Sequence, residues 1–68
     1  MSYAEAIKAL RKKMLLTQEE LALQLGVAFI SINRWENGHC EPTMKIKRKL
    51  APLFEQYCIE VKGLWPTN

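Results

Sequence analysis

The 68-residue sequence predicts an all-α fold, a compact bundle of four to five short helices. Three observations carry that expectation. Apolar residues recur three and four apart, as in Ile7-Leu10-Met14 and Leu21-Ala22-Leu25. Capping residues stand just ahead of such stripes, at Ser2, Thr17 and Thr43. Gly26 and Asn37-Gly38 sit where two of the stripes stop, the position that favours a left-handed residue.

Taken in order, Ser2 with Glu5 three residues on forms an S-x-x-E start for helix 1. Its stripe is Ile7, Leu10 and Met14, with Lys8, Lys12 and Lys13 off it, and it ends near Lys13 or Met14. Thr17 and Glu20 make a capping box for helix 2, and Leu16 and Leu21 the hydrophobic staple around it. Ala22 is small where a second helix must cross closely, and Gly26 ends the helix without a Cβ penalty. Val27, Ile32 and Trp35 give helix 3 its apolar side. Ile30, Asn33, Arg34 and Asn37 fall together on the other side, at i, i+3, i+4 and i+7. His39, Cys40 and Glu41 form a loop before Pro42, and Thr43 caps helix 4. The inner face of helix 4 is expected to be Met44, Leu50, Ala51 and Phe54. Pro52 lies inside that pattern, so the helix is expected to kink there, or to break with Pro52 opening a fifth helix. After Ile59 the chain has Gly63, Pro66 and no helical period, which predicts an irregular tail.

A buried seam on one side and an outward stripe on the other is the arrangement of a helix-turn-helix. Thr17-Gln18-Glu19-Glu20-Leu21-Ala22, Leu25-Gly26-Val27, Ile32 and Trp35-Glu36-Asn37-Gly38, followed by Pro42-Thr43, closely resemble the Cro/repressor-type helix-turn-helix family of phage and bacterial regulators. The resemblance spans roughly residues 5–54. It implies a lambda-repressor-like DNA-binding domain, and a structural ion pair between Arg11 and Glu36, which stand where the family pairs an arginine with a glutamate. Two positions depart from the pattern. Ala28 replaces a frequent serine or threonine cap, and Phe29-Ile30 bring apolar groups to positions that often read bases.

Length and composition agree with one domain. A chain this short buries only about 60% of the surface its unfolded form exposes, and an apolar share of 49% is ample for one core. The net charge of +3 is modest, so the placement of the ten cations matters more than their number. They fall mainly in two clusters, Arg11-Lys12-Lys13 and Lys45 through Lys49, with Arg34 alone on the outward stripe. No apolar run approaches a membrane span and no signal-peptide pattern opens the chain, so a cytoplasmic protein with no membrane partner is expected. Cys40 and Cys58 are too few for a disulfide framework and read as structural thiols. With His39 they are the chain's only soft donors, short of four-ligand spacing, so no metal or other cofactor is expected. A Cys-His nucleophile lacks a third group to orient it, and no catalytic residue or small-molecule ligand is indicated.

The functional candidates are therefore DNA contacts. Arg34 has the donors for the O6 and N7 edge of guanine, and Asn33 suits the N7 and N6 edge of adenine. Ile30 and Phe29 suit thymine methyls, although Phe29 can also turn toward the core. Gln18, in the first turn of helix 2, is a phosphate ligand on this reading, as is Asn37. Lys45 opposes the dipole at the start of helix 4, a conflict that a DNA phosphate would relieve. The expected function is sequence-specific binding of double-stranded DNA by a transcriptional regulator, as a homodimer on a palindromic operator. The alternatives are a protein-interaction module, such as an antitoxin using Phe29, Ile30 or Trp65, and a restriction–modification controller. The expected division is a DNA-binding domain over residues 1–58 and a tail over 59–68. Val61, Leu64 and Trp65 of that tail are expected to pack on the core or at a dimer interface.

Overall fold

Ser2 opens the first helix of the computed structural model, which describes residues 2–59. Val61, Leu64 and Trp65 lie outside the described residues. Four helices follow one another among those described: α1 (Tyr3–Lys13), α2 (Gln18–Leu25), α3 (Phe29–Glu36) and α4 (Met44–Gln56). The Ser2 hydroxyl accepts the Glu5 amide at 3.2 Å. Glu5 in the first turn and Arg11, Lys12 and Lys13 in the last match the helix dipole. At α2 the capping box is complete. Thr17 Oγ1 accepts the Glu20 amide at 3.1 Å, and Glu20 Oε1 accepts the Thr17 amide at 2.8 Å.

Every helix ends in the same way. A left-handed residue stands at the C-cap of α2 and just after the cap of the other three, and two amide bonds close back onto the last turn. At α2 the Gly26 amide reaches Leu23 (3.3 Å) and the Val27 amide reaches Ala22 (2.9 Å). At α3 the Gly38 amide reaches Trp35 (3.2 Å) and the His39 amide reaches Arg34 (3.0 Å). Gly26 (φ +72°) and Gly38 (φ +77°) fit the left-handed position without strain. Leu15 (φ +58°) after α1 and Cys58 (φ +56°) after α4 do the same work with a Cβ. The left-handed residue after α3 is thus Gly38, while Asn37 stays right-handed at φ −89°.

The core lies where all four helices meet. Phe54, Ile7, Leu10, Leu21, Ile32 and Leu50 are its largest fully buried side chains. Helix α3 packs against both α1 and α2, and α4 against α1. Ala22, buried at the α2–α3 seam, keeps that crossing close. Val27 belongs to the turn rather than to α3, and packs against the core from there. Tyr3 and Ala6 join the α1 stripe, and Met14 covers its end.

Helix α4 departs from the expectation in its buried face and in its cap. Its buried face is Ile46, Leu50 and Phe54, spaced by four, whereas Met44 is 46% exposed and Ala51 only half-buried. Thr43 occupies the N-cap with extended backbone, yet its hydroxyl makes no capping bond. Of the two outcomes expected for the helix at Pro52, the break into a fifth helix does not occur. The helix runs through to Gln56 because Pro52 sits on the exposed side, where the Arg48 carbonyl it leaves unbonded can meet water. Leu50 before it and Phe54 after it are both fully buried, and they anchor the two halves to one core.

Candidate nucleic-acid interface

The seam between α2 and α3 uses one side of α3, where Ile32 and Trp35 are buried. The opposite side is left to solvent. Phe29, Ile30, Arg34 and Asn37 are exposed there, and Asn33 is half-buried between them and α2. Ile30 at 52% and Phe29 at 46% exposure are large apolar groups on a surface, so Phe29 does not turn fully into the core. Arg34 has no hydrogen-bond or ion-pair partner among the described residues, which leaves its five donors uncommitted.

Beneath this face lies a carboxylate. Glu36 is buried at the end of α3, its side chain 2% exposed, and Arg11 reaches it from α1. Arg11 Nε donates to Oε2 at 2.7 Å and Nη2 donates to Oε1 at 3.0 Å. The third guanidinium nitrogen donates to the Leu16 carbonyl at 3.1 Å, ahead of α2. Burial alone would raise the Glu36 carboxyl. Hydrogen bonds from Arg11 and Gln18, with the charges of Arg11 and Lys8, outweigh it and hold the group below its usual value. The same hydrogen bond pushes Arg11 up, against its own desolvation.

From this pair a chain of carboxamides runs outward. Gln18 Nε2 donates to Glu36 Oε1 at 3.1 Å. Asn33 Nδ2 donates to Gln18 Oε1 at 3.4 Å, and Asn37 Nδ2 donates to Asn33 Oδ1 at 3.1 Å. Gln18, Asn33 and Asn37, read separately in the sequence, are therefore one network with Arg11 and Glu36. The contact of Gln18 with Glu36 has no local sequence signal, because 18 residues and a turn separate them.

The lysines divide. Lys49 Nζ donates to the Leu25 carbonyl at 3.1 Å, and Lys13 Nζ to the Tyr57 carbonyl at 3.0 Å. Each puts a cation at the C-terminal end of another helix, where the dipole is negative. Lys47 pairs with Glu41 at 3.2 Å and lies 4.7 Å over the Tyr3 ring. The Glu41 hydrogen bond pushes Lys47 up, and burial pushes the Tyr3 hydroxyl up against the pull of Lys47. Lys45 is exposed in the first turn of α4, where no side chain caps the helix, and it joins none of the α3 network. Among the described residues no group of three His, Cys, Asp or Glu is placed to hold a metal ion, and no helix is long and apolar enough to cross a membrane.

The model of a family described as helix-turn-helix matches residues 7–54, well over half of the chain. The chain is also 31% identical, over all 68 of its residues, to the cryptic phage CTXphi transcriptional repressor RstR of Vibrio cholerae serotype O1. It spans 61% of that relative's length. No solved structure gives a significant match.

Proposed function

The chain belongs to the helix-turn-helix family, and from that premise we propose that it binds double-stranded DNA sequence-specifically, as a transcriptional regulator of the phage or bacterial type. The observation that carries this reading is the free side of α3, where Arg34 stands uncommitted beside Ile30 and the Asn33–Asn37 pair. An α-helix fits the B-DNA major groove, and these side chains match base edges there: Arg34 guanine, Asn33 adenine, Ile30 and Phe29 thymine methyls. Gln18, Asn37 and Lys45 take phosphates and set the register. One small domain makes few base contacts, so a homodimer on a palindromic operator, with half-sites about one helical turn apart, supplies the affinity.

Selection of bound duplexes from a random pool tests this. The wild-type chain should enrich a defined motif. Arg34→Ala should cost about 1–3 kcal/mol of specific binding and relax one position of that motif. A wild-type chain that enriches nothing would refute the DNA reading, and an unchanged motif in the variant would remove Arg34 from base reading. Sedimentation on the enriched duplex should give two chains per site.

One observation favours a second reading, a protein-interaction module. Leu23 is 83% exposed, and with Glu19, Ala22, Val27 and Phe29 it lines an open groove beside α3. A chain in that class would bind a protein partner through this groove, and Leu23→Asp would abolish the binding.

A further inference from the structure

We infer that Glu36, acting through Gln18, fixes the carboxamide of Asn33 so that it accepts adenine and refuses guanine; the inference rests on the DNA-binding reading above. The argument is a donor and acceptor count along the network. An ionised carboxylate only accepts hydrogen bonds. The Gln18 atom facing Glu36 must therefore be the nitrogen, and Gln18 Nε2 lies 3.1 Å from Glu36 Oε1. That turns the Gln18 oxygen toward Asn33, which can answer only with its own nitrogen, at 3.4 Å. The Asn33 oxygen then faces outward along α3 and accepts from Asn37 Nδ2 at 3.1 Å. The polarity of every amide is dictated from the buried end.

The count has a consequence at the DNA. A carboxamide carries two N–H donors and an oxygen with two lone pairs. On Asn33 one donor is committed to Gln18 and one lone pair to Asn37. One donor and one acceptor remain, which is the complement of adenine N7 and N6–H2. Guanine presents two acceptors, O6 and N7, and would need both Asn33 protons. An unrestrained asparagine can offer both; this one cannot. Gln18 is thus a positioning residue for base choice, and its second Nε2 proton stays available for a phosphate.

Gln18→Ala isolates the effect. Alanine keeps α2 helical, and Glu36 retains both bonds from Arg11, so no buried charge is stranded. Duplexes differing only by A or G at the position that Asn33→Ala relaxes are compared by competition binding. Wild type should prefer A, and Gln18→Ala should lose that preference by on the order of tenfold, at the same position, beyond any uniform loss of affinity. In the free protein, the Asn33 side-chain amide resonances should sharpen toward free rotation in Gln18→Ala while backbone shifts of α1 and α4 stay put. A variant that weakens A and G duplexes equally, with an unaltered Asn33 amide, would overturn the inference and leave the DNA reading standing. A wild-type chain that selects no duplex would overturn both.

Discussion

Leu15 holds a left-handed backbone with φ at +58° while its side chain is 89% exposed. A non-glycine residue there bears about 1–2 kcal/mol of steric cost, and an exposed leucine returns almost no burial to offset it. Leu15→Gly removes the Cβ and keeps both amide bonds of the turn, those of Leu15 to Lys12 and Leu16 to Arg11. Part of the gain is lost to the freer unfolded chain, roughly 0.5–1 kcal/mol. The net is stabilisation of up to about 1 kcal/mol, a rise of a few degrees in Tm for a domain of this size. Thermal melts decide it, and a lower midpoint would mean that Leu15 packs on something its exposure does not register. Single residues were unevenly legible in the sequence. Gly26 and Gly38 announced their turns by type, whereas nothing about Leu15 or Cys58 marks a left-handed residue, because tertiary packing of the flanking helices imposes it. The uncommitted Arg34 followed from its place on the stripe. The commitment of Gln18 to Glu36 did not, since it depends on how two helices cross.

Among the elements, α2, its turn and α3 were the most legible because their determinants are local: a capping box, a staple and a glycine, all between Leu16 and Gly26. Helix α4 was less so. The spacing of Ile46, Leu50 and Phe54 carries the true phase, but Ile46 is flanked by Lys45 and Lys47 and reads as part of a basic face. Met44, six residues before Leu50, falls about 120° away from it on a helix of 3.6 residues per turn. Pro52 reads as a kink or a stop because local propensity opposes a proline inside a helix by about 3 kcal/mol relative to alanine. Burial of Leu50 and Phe54 on either side overrides that cost. The conflict predicts a cheap improvement. Pro52→Ala restores an amide that can bond the Arg48 carbonyl, removes the ring from the preceding turn, and disturbs no buried contact because the position is exposed. Stability should rise by about 1 kcal/mol or more, and the new amide at position 52 should be protected in hydrogen exchange. A destabilised variant would show that the proline ring shapes the path of α4 into the core.

At the scale of the molecule, the Arg11–Glu36 pair joins α1, the start of α2 and the end of α3 by charge. Its net worth against a well-packed apolar pair is small, yet breaking it from one side leaves a charge without its partner. This makes stability depend on pH with a definite sign. The Glu36 carboxyl lies below its ordinary value in the folded chain, despite the opposing effect of burial, because Arg11 and Gln18 donate to it. An unfolded glutamate titrates near 4.3, so on acidification the unfolded chain takes up the proton first. The contribution of Glu36 is therefore complete above about pH 4.3 and is lost as pH falls through that value and on through the lower folded one. Glu36→Gln removes the titration while nearly keeping the shape. At pH 7 the variant should be less stable by about 1–3 kcal/mol, since Arg11 then donates to a neutral group. Acid weakens both proteins alike through the rest of the chain, so the informative quantity is the gap between them. Denaturant titrations from pH 7 to pH 3 should show a constant gap above pH 5 that closes as Glu36 protonates. A gap independent of pH would place the stabilising effect of Glu36 in its packing and not in its charge.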